Sequence, residues 1–152
     1  MPVRVNVAIA EGAPRRIRGL PARELIALAR RAARKACERA GVADAEVSIA
    51  LVGDDEIAEL NQRFLAHEGP TDAISFPLWE EGETPVGDVY VGLAQALRQA
   101  AENGVTAREE VVRLVVHGTL HVLGWDHEGG DERLAGEMWA LQERIVAEVT
   151  GP

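Results

Sequence analysis

Residues 111–127 read VVRLVVHGTLHVLGWDH, a stretch that predicts a buried helix carrying a cluster of histidines. Its first part is apolar on almost every side of a helix, with hydrophobic side chains at Val111, Val112, Leu114, Val115, Val116, Leu120, Val122 and Leu123. A helix that is hydrophobic all round is a buried one. Thr106 and Glu109 have the spacing of a capping box, so the sequence predicts a central helix from there to about residue 123.

The same stretch holds three of the four histidines of the chain. His117 and His121 are four residues apart, so both project from one face of the helix. Gly124 suits the left-handed turn that ends a helix, and a reversal there would bring His127 back toward the other two imidazoles. Three histidines leave one tetrahedral position open, as in catalytic zinc sites.

A zinc ion on His117, His121 and His127 is therefore the predicted metal centre, although these ligands also suit other divalent transition metals. Water bound to such an ion ionises near neutral pH, which is typical of a metal-dependent hydrolase. We predict catalytic roles for His117 and for Asp126, which precedes the third histidine and could act as a base or as a hydrogen-bond acceptor for a ligand.

The spacing of the histidines is also that of the metzincin proteases. Those enzymes carry a glutamate as general base directly after the first histidine, and this chain has Gly118 there. The absence of this glutamate disfavours a metallopeptidase.

Outward from the central helix, hydrophobic periodicity predicts four strands and four further helices. The predicted strands are 3–9, 47–51, 73–78 and 86–91, the last two pairing as a hairpin. The predicted helices are 21–40, 54–64 with Asp54 as N-cap, 93–103 and 134–150, the last with Leu134, Met138, Leu141, Ile145 and Val149 as its apolar face. This order favours an α+β fold with a small sheet covered by about five helices.

Length and composition agree with one domain spanning residues 1–152, because 47% hydrophobic residues supply a core of that size. No apolar run approaches the ~20 residues of a membrane span, and the N-terminal residues alternate where a signal peptide would be continuously apolar. We therefore expect a cytoplasmic protein with no membrane partner. The single cysteine, Cys37, reads as an unpaired residue of helix packing.

The net charge of −9 is unevenly distributed. Residues 1–40 hold ten Arg or Lys against three Glu, which gives +7, and the other 112 residues hold six against 22 acidic side chains, which gives −16. A basic segment on an acidic body is a hint of a polyanion-binding face, and it is also compatible with a solvated helix surface.

Beyond these patterns, the sequence resembles the YbeY family, endoribonucleases and ribosomal RNA maturation factors of bacteria. Residues 117–127, HGTLHVLGWDH, match the family hallmark HGxLHLxGxDH at all but Val122. Residues 70–77, PTDAISFP, resemble the family's PTDVLSFP, and Asn61, Gly87 and Asp88 also agree with its pattern. The resemblance implies an α+β domain with a small mixed four-stranded sheet, a metal on three histidines, and cleavage of single-stranded RNA near ribosomal RNA ends.

The resemblance also marks substrate-contact candidates. The family's arginine four residues after the Asn is Leu65 here, so Arg63 or His67 would have to replace it. Thr71, Asp72 and Ser75 are further candidates for RNA contact, and they read equally well as turn and strand-entry residues.

The leading hypothesis is phosphodiester cleavage in ribosomal RNA maturation, with arginines of residues 1–40 holding the RNA backbone. The expected partners are single-stranded or ribosomal RNA and a ribosomal protein or small-subunit assembly factor. The main alternative is a non-enzymatic assembly factor in which the ion stabilises the fold and the basic helix docks on ribosomal RNA or a ribosomal protein.

Overall fold

A computed structural model of the chain describes residues 2–17, 19–66, 69, 71–125 and 132–151. Its strands are β1 (Val3–Ile9), β2 (Arg16–Ile17), β3 (Leu20–Pro21), β4 (Ala45–Val52), β5 (Ala73–Pro77) and β6 (Val86–Gly92). Its helices are α1 (Ala22–Arg39), α2 (Asp54–Leu65), α3 (Leu93–Asn103), α4 (Ala107–Val122) and α5 (Glu132–Thr150). None of the helices in the described part of the chain has the length and apolarity to cross a membrane.

The main sheet has the strand order β1-β4-β6-β5. Neighbouring strands among β1, β4 and β6 are parallel, and β5 pairs antiparallel with β6, with Ala73 opposite Val91 and Pro77 opposite Gly87. Parallel neighbours need crossover connections. The helix α1 connects β1 to β4, and α2 lies in the connection from β4 to β6. The α+β class with a mixed four-stranded sheet and five helices is thus confirmed.

The central helix α4 is buried, as predicted. It packs against α1, α3, α5 and the strands β5 and β6. Val111, Val115 and Leu120 are fully inaccessible to solvent, and they belong to a core formed with α1 and the inner side chains of the sheet. Cys37 of α1 lies in this core, which confirms its packing role.

A second, smaller cluster lies on the opposite face of the sheet. Its centre is Val52, Ile57 of α2 and Ile74 of β5, with Ala50 packed against it. Because successive side chains of a strand point to opposite faces, Ala50 faces this cluster while Leu51 faces the main core. The sheet therefore separates α2 from α1 and α4.

Three local predictions were wrong or incomplete. Residues 16–21, where no strand was predicted, contain a short antiparallel pair of β2 and β3. Asp54 is the first residue of α2, whose N-cap is Gly53, and its carboxylate pairs with Arg98 at 2.9 Å. Only the threonine half of the capping box is seen, because Thr106 accepts from the Glu109 N–H while the Glu109 carboxylate binds Arg113.

The prediction of the apolar face of α5 was wrong at the N-terminal end of the helix. Leu134 is 41% exposed, and the buried face is instead formed by Met138, Gln142, Ile145, Val146 and Val149. A polar side chain, Gln142, therefore occupies a core-facing position.

Candidate metal centre

Two glycines allow α4 to lie unusually close to the sheet. A Cβ atom at Gly118 would lie 2.5 Å from Cγ1 of Val89 in β6, and a Cβ atom at Gly87 would lie 2.7 Å from Cγ1 of Val122. Real Cβ atoms do not approach so closely, because interiors are already packed to crystal density. Gly118 is thus required by helix–sheet packing, and a glutamate there, as in the metzincins, would collide with β6.

The C-terminal end of α4 is held by local and long-range hydrogen bonds. Gly124 has φ +105°, and Trp125 N–H donates to the Leu120 carbonyl at 2.9 Å, which confirms the predicted left-handed end of the helix. From the loop after β5, the Trp79 indole N–H donates to the Val122 carbonyl at 2.6 Å. This hydrogen bond supplies a donor to one of the last carbonyls of the helix, which have no partner within the helix itself.

His117 and His121 face each other across one turn of α4. Their Nε2 atoms are 3.1 Å apart, and their rings are nearly perpendicular at 81°. Each Nδ1 lies 2.7 Å from an oxygen: the Gln142 side-chain Oε1 for His117 and the Trp125 backbone carbonyl for His121. The predicted meeting of these two imidazoles is confirmed.

This geometry assigns the protons of the two rings. An amide or carbonyl oxygen only accepts hydrogen bonds, so each Nδ1 carries a hydrogen and each Nε2 of a neutral ring carries a lone pair. Two such lone pairs only 3.1 Å apart favour a cation shared between them. In tetrahedral coordination with Zn–N bonds of 2.0–2.1 Å the two nitrogens would be ~3.3 Å apart, close to the separation in this protein.

The histidine pair lines a cavity of about 500 Å³ between the end of α2, the strand β5 and α4. Its other lining residues are Leu65, Ala73, Ile74, Ser75, Pro77, Gly118, Gly124 and Trp125. A predominantly apolar concave site with few convergent polar groups is typical of a ligand-binding or active site.

Of the predicted substrate contacts that the structure describes, only Ser75 lines this cavity. The Asp72 carboxylate accepts from the Ala73 N–H at 2.7 Å, and the Thr71 hydroxyl lies beside that carboxylate, so both shape the start of β5. Arg63 is exposed and lies over the ring of Phe64, 5.6 Å from its centroid. Leu65, at the position of the family's arginine, does line the cavity.

The third predicted ligand, His127, lies outside the described residues, as do Asp126 and His67. Within the residues that the structure describes, no group of three or more His, Cys, Asp or Glu side chains is placed to bind a metal ion. His117 and His121 are thus the described part of the predicted three-histidine centre.

The basic helix α1 packs beside β1, at the sheet edge opposite β5. Several of its arginines make hydrogen bonds or ion pairs with β1 and α5. Arg30 donates to the Val5 carbonyl at 3.4 Å, Arg31 donates to the Val149 carbonyl, and Arg39 pairs with Glu148 at 2.8 Å. Part of the basic charge therefore attaches α1 to its neighbours.

The sequence analysis missed three groups at the site: the side chains of Gln142 and Trp79, and the backbone carbonyl of Trp125. Gln142 could have been found, because it follows Met138 by four residues and precedes Ile145 by three, which places a polar residue on an apolar helix face. Nothing in the sequence around Trp79 indicates its partner 43 residues away.

Comparison with known proteins shows the family to which the chain is similar. A family model described as Endoribonuclease YbeY matches residues 15–150. The Endoribonuclease YbeY of Persephonella marina is 38% identical over 122 residues, covering 78% of this chain and 79% of that protein. The corresponding protein of Aquifex aeolicus is 46% identical over 94 residues, covering 60% of this chain and 63% of its own. The solution structure of TM1509 from Thermotoga maritima is similar with a TM-score of 0.66 and 33% identity, over 98% of this chain and 89% of that one.

Proposed function

We propose, because the chain belongs to the endoribonuclease YbeY family, that this protein cleaves single-stranded RNA with a zinc ion held by His117, His121 and His127. The observation that carries the proposal is the pair of imidazoles whose Nε2 atoms lie 3.1 Å apart in a cavity, each with its Nδ1 beside an oxygen acceptor. The donor set fits zinc, since neutral imidazole nitrogens are among its preferred ligands.

The protein's own part in this reaction is to hold the ligands and admit the substrate. A three-histidine zinc centre with an open position supplies a Lewis acid and lowers the pKa of water. The close packing of α4 on β6 and the hydrogen bonds at its C-terminal end fix both imidazoles before substrate arrives. Asp126, directly before the third ligand, is proposed as the proton carrier or as the hydrogen-bond acceptor that orients His127.

Single-stranded RNA suits the cavity. An unpaired strand can turn a phosphate or an unstacked base into a concave site, which a continuous duplex cannot do. Ser75 offers a hydroxyl at the cavity wall. Backbone phosphates account for most non-specific affinity, so the exposed arginines of residues 1–40 are proposed to add affinity along the strand.

The proposed biological role is ribosomal RNA maturation in the cytoplasm, with a ribosomal protein or an assembly factor as partner.

The test compares wild type with His121→Ala and with Glu102→Ala, an exposed change on α3, for zinc content, RNA binding and cleavage of a labelled single-stranded RNA. We expect His121→Ala to lose zinc and cleavage while it still binds RNA, and Glu102→Ala to behave as wild type. Undiminished cleavage by His121→Ala would rule out the metal mechanism. Wild-type RNA binding without any cleavage would favour the assembly factor, and zinc-dependent casein turnover would favour a peptidase.

A further inference from the structure

Gln142 is a polar side chain buried in the core, with 2% of its surface exposed. Burying an amide is costly unless its hydrogen bonds are satisfied. Both ends of this amide are used: Oε1 lies 2.7 Å from Nδ1 of His117, and Nε2 donates to Oε2 of Glu143 at 3.1 Å. The side chain therefore links α5 to the histidine pair on α4.

The direction of the Gln142 amide is fixed by its second partner. Glu143 is held by Arg113, whose Nη2 and Nε each donate to the carboxylate at 2.9 Å. The pKa of Glu143 is lowered, first by these hydrogen bonds, so the group is an ionised acceptor. A flipped amide would direct its oxygen at a carboxylate oxygen, whereas the observed one donates to it. Oε1 is thus left facing His117.

This chain of contacts determines which nitrogen of His117 is protonated. With an acceptor oxygen at Nδ1, the hydrogen stays on Nδ1 and the lone pair stays on Nε2, the atom that faces His121. A neutral histidine in water prefers the opposite tautomer, with the hydrogen on Nε2, and in that form the atom cannot bind a metal ion.

We propose that Gln142, held by the Glu143–Arg113 ion pair, is a positioning residue that keeps His117 in the metal-binding tautomer and orientation. The inference rests on the proposed function only in taking His117 as a zinc ligand. Partners that orient a ligating histidine contribute about 10- to 100-fold in metal affinity.

The test uses the full chain with Gln142→Met, which keeps the length of the side chain and removes the acceptor. Gln99→Met makes the same change on α3, away from the histidines, as the matched control. Zinc affinity is measured by competition with a chromogenic chelator, and thermal unfolding shows that each variant is folded. We expect Gln142→Met to bind zinc about 10- to 100-fold more weakly, and Gln99→Met to stay near wild type.

A second readout needs no metal. Long-range ¹H–¹⁵N correlation spectra of the metal-free protein at about pH 8, where an ordinary histidine is neutral, report the tautomer of each ring. We expect the Nδ1–H form of His117 in wild type and in Gln99→Met, and a shift toward the Nε2–H form in Gln142→Met.

The two readouts distinguish failure of this inference from failure of the proposed function. Zinc affinity and a His117 tautomer both unchanged in Gln142→Met would overturn the positioning role while leaving a zinc enzyme intact. If wild type bound no zinc, the proposed function would fail, and the tautomer spectra would still decide whether Gln142 positions His117.

Discussion

Leu65 is the single residue at which the site departs most from the family pattern. It is 46% exposed and lines the same cavity as His117. An arginine there would present a cation beside the proposed metal centre. We expect Leu65→Arg to bind single-stranded RNA several-fold more tightly. The slope of the logarithm of the binding constant against the logarithm of the salt concentration should become more negative by about 0.7, the value for one added phosphate contact on a single strand. Filter binding at several salt concentrations measures both.

The control for that change is Ala147→Arg, which adds the same charge on the exposed side of α5. Equal tightening by both variants would show a general charge effect and would remove Leu65 from the substrate path.

Cys37 gives a prediction about pH at the same scale. Burial in the core raises the pKa of its thiol from 9.0 to about 11, although nearby Arg34 partly opposes the shift. Because the unfolded chain releases this proton at lower pH than the folded one, the contribution of the thiol to stability is complete below pH 9 and is lost as the pH rises toward 11. We expect a shallower alkaline loss of unfolding free energy in Cys37→Ala, measured by urea titration at pH 8 to 11. Parallel curves for the two proteins would contradict the assignment.

At the level of elements, the contact of α4 with β6 depends on Gly118. A methyl group there would meet Val89, which has no exposed surface and no room to retreat. Overpacking of this kind costs about 1–3 kcal/mol, more than the roughly 1 kcal/mol that alanine gains over glycine in a helix. We expect Gly118→Ala to lower the free energy of unfolding and to weaken zinc binding by displacing His117.

Gly136 of α5 is the matched control, because a Cβ atom there would meet nothing within 4 Å. Gly136→Ala is expected to stabilise the protein by about 0.5–1 kcal/mol. Urea unfolding measures the change in unfolding free energy for both variants. Stabilisation by both substitutions would show that only helix propensity matters at these positions and would contradict the close contact of Gly118 with Val89.

At the scale of the whole molecule, ion pairs from two arginines link α5 to other helices. Arg113 of α4 binds Glu109 and Glu110 of its own helix and Glu143 of α5. Arg39 of α1 likewise binds Glu148 of α5. These contacts attach the helices to one another in a chain whose net charge is −9.

These pairs predict an acid-sensitive fold. The pKa of Glu143 lies below its ordinary 4.5 because Arg113 donates hydrogen bonds to it. The folded state then holds the ionised form more tightly than the unfolded chain, so this stabilisation is present above pH 4.5 and is lost as the pH falls through the lowered value. We expect the unfolding free energy of Glu143→Gln to fall less steeply than that of wild type between pH 6 and 3. Chemical denaturation across that range tests it, and identical slopes would exclude a role for the pair.

The sequence by itself determined the central helix, the pairing of His117 with His121 and the order of the five helices and the four strands of the main sheet, because periodicity and four-residue spacing are local properties. It also placed Gly124 at the helix end. The position of His127 stays a prediction. Only the tertiary structure decided that Gln142 and Trp79 serve the site, that Gly118 lies against Val89, and that Thr71 and Asp72 shape β5 instead of lining the cavity. These contacts join residues distant in the chain, and packing of whole helices on the sheet, which no local pattern encodes, sets their distances.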